Sequence, residues 1–472
     1  MASLRDLFML ASSSALIVAS GCQVRVEDDS FDDDAYDGWY DDDYGGSSSD
    51  PLRSPPYGNP ASDGVPDVPD VPPLGYPDGG TSGDVEPLRP DLPPSLYPAL
   101  IVIDADIIRG PLAANASADA PFSFRAQMEW LAGDRDAIDF TQAWLEQWET
   151  VTTVGPAAAP VVPRPAARRR LLEPWLGANA ASSADAGAYG TSSPSPANGT
   201  PPSWANAPFR LIAIVNRVDL ASDPCSTGGE LRFIYTAIDV STGAALDMTA
   251  ILEVPYPSTR TAAEWARAWR DLPFGGGSGY SEALARLVRD VHAEADPLRA
   301  RLLTSEVELA SAESPGWEMR EFHLQIEGDR LGLVQTPLDR TPRADVDAAR
   351  LSDHVLEHAD EIRAAGARLP DDMQAGVAPL ATPDFRWRVL GVSESLRHAF
   401  SLQTCNGCHG GDAEPLPFQH VTPVDLPGIS ARVSRTLYAP DEPSDELRRR
   451  SLLLDSLAQS ACEPAPGSTT YP

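Results

Sequence analysis

Near the C-terminal end, Cys405-Asn406-Gly407-Cys408-His409 sets two thiols two residues apart and an imidazole directly after the second. That is the order in which a c-type haem is attached: the cysteines reach the two vinyl groups and the adjacent histidine becomes the proximal iron ligand. Gly407, Gly410 and Gly411 would let the backbone pass close to a macrocycle. The last methionine, Met373, precedes the motif, so His420 is the candidate sixth ligand and His398 the second choice, unless the iron stays five-coordinate. Two other chemistries use the same side chains. Cys405, Cys408, His420 and either His409 or Cys462 would make a tetrahedral zinc site. Cys405 and Cys408 alone would make a redox disulfide.

Other stretches carry weaker signals. His354-Val-Leu-Glu357-His358 has the H-x-x-E-H order of inverted zinc peptidases, and on a helix the two histidines share a face. In that reading Glu357 activates water, but no acidic third ligand is evident on a following helix, and an exposed histidine pair is the plainer expectation. Asn216-Arg-Val-Asp219 lacks the lysine and phosphate loop of a nucleotide site, so both residues are expected to brace a strand-end turn. Asp104 and Asp106 are expected on one face of a strand.

A layout of helix, CxxCH, irregular loop and helix must present the motif. Ser393 or Ser395 could cap the first helix, and "PSDELRRRSLLLDSLAQSAC" reads as the last. Upstream, "SLYPALIVIDADIIRG", "FRLIAIVNRVDL", "GELRFIYTAIDV", "ALDMTAILEVPYP", "GWEMREFHLQIEG" and "RLGLVQTPL" read as strands. "SFRAQMEWLAGDRDAIDFTQAWLEQWETVT", "TAAEWARAWRDL", "GYSEALARLVRDVHAEADPLRARLL" and "ADVDAARLSDHVLEHADEIRAAG" read as helices. The fold class expected is α+β: a mainly antiparallel sheet with packed helices over 96–392, including a long loop at 155–206. A small helical, cytochrome c-like CxxCH module follows over 393–464.

The N-terminal part is of another kind. Residues 1–21 read as a lipoprotein signal peptide ending in "ASG", with Cys22 as the lipidated residue that anchors the chain to a membrane. Gln23 after that cysteine favours the outer membrane, so the expected place is the cell envelope. Residues 22–95 hold 18 acidic residues against Arg25, Arg53 and Arg89, and read as an acidic, Pro/Gly-rich tether. The whole chain carries 69 acidic and 36 basic residues, a net −33, a surface that repels nucleic acid. Every basic side chain is arginine, which excludes Schiff-base chemistry and a Walker lysine. With Cys22 lipidated and the CxxC pair occupied, Cys225 and Cys462 are left to pair as a disulfide outside the cytoplasm.

The segments "LIVIDADIIRG", "FRLIAIVNRVDLA", "GELRFIYTAI", "WEMREFHL", "LVQTPL" and "LQTCNGCHG…FQHV", in that order, resemble a large group of bacterial lipoproteins and secreted proteins with a C-terminal CxxCH. The resemblance covers about residues 98–462. It implies a shared architecture and motif but no particular reaction. This chain departs from it in "GGDAEPLPFQHV", where the group more often has a Glu-Thr-Gly-Thr-like stretch; His420 is kept. The function expected is that of a lipid-anchored envelope protein carrying haem c for electron transfer or sensing, with a redox partner protein. The alternative is a non-enzymatic structural or binding lipoprotein clamped by zinc or a disulfide. A zinc hydrolase using His354, Glu357 and His358 is third.

Overall fold

The computed structural model describes residues 97–462, apart from 178–202 and the short stretches 222, 241, 275–277, 308, 310–315, 328–329, 364–365, 380–384, 411, 414–418, 427, 435–436 and 439–445. The signal peptide, Cys22 and the tether expected over 22–95 lie outside the described residues, as does the middle of the loop expected over 155–206. All the described residues belong to one compact unit.

The chain opens with β1 (Ile101–Val102), α1 (Ala105–Ile108), α2 (Phe124–Ala132) and α3 (Ala137–Thr150), followed by a ribbon of β2 (Thr153–Val154) and β3 (Ala159–Pro160) and by α4 (Glu173–Leu176). Strands β4 (Phe209–Asn216), β5 (Glu230–Ile238) and β6 (Ala245–Pro255) come next, then helices α5 (Ala262–Arg270) and α6 (Ser278–Glu294). Strands β7 (Arg301–Glu306), β8 (Glu318–Glu327) and β9 (Arg330–Thr336) complete the main run, and β10 (Leu338–Pro342) leads away from it. These form an α+β structure around an eight-stranded antiparallel sheet in the order β1-β4-β5-β6-β7-β8, in which β8 pairs with both β9 and β12 (Ala378–Pro379).

Two-residue alternation decides what each face of the sheet meets. Leu231, Phe233 and Tyr235 of β5, Leu252 of β6, Leu302 of β7 and Phe322 of β8 are all fully buried on the helix-covered face. Trp144 and Trp148, at helical spacing on α3, are 0% exposed and pack on Phe322, Trp144 edge-on and Trp148 tilted, with ring centroids 5.9 and 5.0 Å away. Burying a side chain such as Phe322 stabilises the fold by about 2–3 kcal/mol. The helices begin where capping side chains stand. Asp136 accepts from two backbone amides at the start of α3, and Thr261 with Glu264 makes a reciprocal capping box on α5.

A helical satellite is built from α7 (Ala348–Glu357), α8 (Ala359–Arg363) and α9 (Glu394–Ser401), with the short pair β10–β11 (Gln374–Ala375) beside it. Leu351, Val355, Ile362, Trp387, Leu396 and Phe400 form its own small core. The chain then makes α10 (Cys405–Cys408), a hairpin of β13 (Val421–Leu426) and β14 (Ile429–Val433), and α11 (Glu446–Gln459).

Four local expectations are corrected. The strand expected over "SLYPALIVIDADIIRG" lasts two residues, because Asp104 accepts from Asp106 N–H at 2.8 Å and caps α1; Asp104 and Asp106 therefore share a turn and not a strand face. The helix expected through "ADPLRARLL" stops at Glu294. Asp296 and Pro297 break it, and the apolar residues beyond join the sheet as β7. The loop expected between CxxCH and the last helix contains the hairpin β13–β14, turned at Gly428 with φ +81°. Consequently the segment from 393 onward is not purely helical.

Candidate functional site

The CxxCH motif forms one helical turn held from three directions. Ser393 caps α9, which ends just before the motif. Thr404 is the pivot. Its hydroxyl accepts from Gly407 N–H at 3.0 Å and from the Trp387 indole at 2.9 Å, and donates to the Ser401 carbonyl at 2.7 Å. The Cys405 amide donates to Thr341 Oγ1 on β10 at 2.9 Å. Gly407 has to be glycine: a Cβ there would strike the Ser401 carbonyl and hydroxyl. This glycine serves close packing of the turn on α9.

The four expected site residues come together, each with its own neighbours. Cys405 is a free thiol, so the CxxC pair is not closed into its own disulfide. It packs against the cluster of Leu303, Trp317, Met319, Leu338, Ala375 and Ala378. Burial pushes this thiol up to about 12, while a hydrogen bond with Thr341 pulls it back. Cys408 Sγ lies 3.3 Å from His420 Nε2, and His420 Nδ1 lies 3.0 Å from Ser434 Oγ. His420 is held well below its usual range by burial, then by the charges of His409, Arg450 and Arg232, so its ring is neutral near pH 7. His409 is 6% exposed, with the Trp317 ring centroid at 5.4 Å and that of His420 at 4.7 Å.

As folded, these residues do not fit a haem. The His409 ring would have to face the iron at a macrocycle's centre, and Trp317 and His420 crowd it instead. His409 and His420 also lie ring against ring, whereas axial ligands stand end-on on opposite faces of the plane. His398, the second distal candidate, lies on α9 with Nδ1 at 3.3 Å from Asp412 Oδ1. Zinc fits no better. Cys408 is disulfide-bonded, so the sulfur beside His420 Nε2 is not a thiolate open to a metal. The contact with Ser434 fixes the orientation of His420. Among the described residues no group of three or more His, Cys, Asp or Glu converges on a metal position. Cys462, one of the zinc ligands considered, is paired with Cys225 in a disulfide with Cα atoms 5.3 Å apart.

Sequence reasoning missed what lies beneath the motif. On the face of the sheet opposite the tryptophans, Arg232, Glu253, Arg301 and His323 are successive register partners across β5, β6, β7 and β8. Arg301 Nε meets Glu253 Oε2 at 2.9 Å, Arg232 Nη2 meets Glu253 Oε1 at 3.2 Å, and His323 Nε2 meets Glu321 Oε1 at 2.5 Å. Glu230 pairs with Arg232 at 2.5 Å. The row neighbours the motif, since the charge of Glu321 acts on Cys405 and that of Arg232 on His420. The signal was there: Glu230-x-Arg232 and Glu321-x-His323 are i, i+2 pairs, which in a strand share one face. Asp412 was missed too. Both its oxygens bind Arg397, and Ser401 Oγ donates to it at 2.5 Å, fastening the chain after CxxCH to α9.

The remaining motifs resolve simply. Asn216 Oδ1 accepts from Val218 N–H at 3.0 Å and from Tyr256 Oη at 2.8 Å, and Asp219 pairs with Arg217 at 3.0 Å, as a braced strand-end turn requires. His354 and His358 share a face of the α7 region with ring centroids 4.4 Å apart, but His354 is buried and so the pair is not the exposed one expected; Glu357 is exposed and His358 pairs with Glu361 at 3.2 Å. The zinc-hydrolase constellation is not assembled there among the described residues. No helix among the described residues is long and apolar enough to cross a membrane. The chain matches no protein-family model, no curated protein and no solved structure.

Proposed function

We propose that this chain is a non-enzymatic structural or binding protein of the cell envelope, anchored by lipid on Cys22 and kin to the CxxCH-ending lipoproteins it resembles. In this reading the CxxCH segment is a clamp. It fastens the C-terminal hairpin and helix to the charged face of the sheet. The observation that carries the reading is the packing of His409 between Trp317 and His420, in a turn already secured through Thr404, Thr341 and Asp412. Both rings lie against His409 itself, so in this arrangement its imidazole is used in packing.

The competing reading is covalent haem, favoured by the order Cys405-x-x-Cys408-His409 in a chain that begins with an export-like segment. One preparation decides between them. The protein is exported from a host with c-type maturation machinery and examined by haem stain, visible spectrum, metal analysis and thermal melting. The clamp reading expects a colourless protein without stoichiometric metal, and a His409→Ala variant that melts lower than wild type. A covalent haem lost in Cys405→Ser would overturn it in favour of the cytochrome. One zinc per chain, lost in His420→Ala, would overturn it in favour of a metal site.

A further inference from the structure

A second cluster of polar groups lies behind the motif, where β10, α7 and the end of α9 meet. Arg340 on β10, His354 on α7, Arg368 and Leu369 in the following loop, and Phe400 and Gln403 at the end of α9 line a small void. About 10 Å³ of it is open to the centre of a water-sized sphere, room for one water or one small ion. Arg340 is only 5% exposed, and its Nε and Nη1 are buried without a hydrogen-bond partner. Two carboxylates are near enough to act on it, Asp339 and Glu321. Neither pairs with it: Asp339 is bound by Arg368 at 3.3 Å, and Glu321 by His323 and Arg301.

Buried guanidinium N–H groups left without an acceptor, as at Nε and Nη1 of Arg340, are costly unless something occupies them. The rest of the lining is poorly suited to a cation. Arg368 brings a second positive charge to it. We propose that this void binds a small monovalent anion of chloride size, seated on Arg340 and closed by Arg368. The anion ties the helical satellite to β10, one residue before Thr341 receives the Cys405 amide. It does not depend on what the CxxCH motif holds.

Bromide is the probe. Crystals of the wild-type protein grown or soaked in sodium bromide are expected to show an anomalous peak against the Arg340 guanidinium. Thermal melts at equal ionic strength are expected to run higher in chloride than in gluconate. That difference should disappear in Arg340→Gln and shrink in Arg368→Gln, whose side chain stands at the partly exposed mouth and whose loss leaves the core packing alone. Should Arg340→Gln fail to fold, the wild-type bromide peak and the Arg368→Gln melts still decide. A water peak without anomalous signal, or a bromide peak with identical melts in the two salts (an adventitious ion only), overturns the proposal.

Discussion

Asp412 and Arg397 meet in a two-point contact: Oδ1 accepts from Nη2 at 2.7 Å and Oδ2 from Nη1 at 2.9 Å. Burial works against the Asp412 carboxylate, but hydrogen bonds from His398, Arg397 and Ser401, and the Arg397 charge, hold it well below the usual range. Its stabilising contribution is therefore complete above the unfolded carboxyl pKa and fades only as pH falls toward the depressed folded value. Near neutral pH the contact is a permanent fastener between α9 and the chain beyond CxxCH.

Asp412→Asn breaks that fastener and leaves Arg397 with Glu394, whose side chain is 70% exposed. Removing one partner of a buried pair costs about 3 kcal/mol, whereas removing an exposed partner costs under about 1 kcal/mol. Urea unfolding should rank Asp412→Asn well below Glu394→Gln. Equal losses in the two variants would mean that Asp412 carries no special weight.

The middle of CxxCH tests the packing reading directly. Gly407→Ala places a methyl against the Ser401 backbone carbonyl, which cannot move without disturbing α9. Overpacking of this kind costs about 1–3 kcal/mol. Gly279 near the start of α6 has open space around a new Cβ, so Gly279→Ala is the control and should melt close to wild type. A Gly407→Ala protein as stable as that control would contradict the close approach.

The Cys225–Cys462 disulfide spans 237 residues and joins the loop after β4 to the residues following α11. Chain entropy sets its contribution at about 5 kcal/mol as an upper bound for so long a loop. Cys225→Ser should lower the urea midpoint, and reductant should lower wild type by more than it lowers the variant, in which only the disulfide at Cys408 is left to reduce. A reductant effect of equal size in both proteins would rule this bond out as its source.

Much of this fold was legible because its strands alternate and its helices carry caps. The runs at 230–238 and 245–255 carry period two, 209–216 is a continuous apolar run bounded by turn residues, and Trp144 and Trp148 sit four apart on one helix face. The pairing of Cys225 with Cys462 is the one the cysteine count left, although that count took both Cys405 and Cys408 as cofactor-bound, whereas Cys405 is a free thiol and Cys408 is disulfide-bonded. What failed was local competition. Leu302 and Leu303 continue a helical pattern on paper, but Pro297 ends it and β6 offers a partner edge. The candidate site was legible as a set of residues and not as an arrangement. Nothing in Cys405-x-x-Cys408-His409 reports that Trp317, far upstream in the chain, would pack on His409. Nor do i, i+2 charge pairs on separate strands announce that they will align into one row.

His292 supplies the pH prediction. It lies on α6, stacked on Trp130 at 4.8 Å and near Phe233 at 5.7 Å, with Nε2 buried and unpartnered among the described residues. Burial lowers it to about 4, against an ordinary value of 6.5. Between those values the unfolded chain binds a proton that the folded one refuses, so stability falls as pH drops from 6.5 to 4. The loss reaches about 3 kcal/mol at the acid end, at about 1.4 kcal/mol per unit. His420, also held low by burial, acts in the same direction, so His292→Phe removes only part of the slope. The phenyl ring keeps the stack on Trp130, and the Trp130 indole keeps its bond to the residue 292 carbonyl at 3.1 Å. Urea unfolding across pH 4 to 7 should therefore show His292→Phe losing less stability on acidification than wild type, by about one proton's worth of slope. Parallel curves for the two proteins would show that His292 is already protonated in the native state or sits in water.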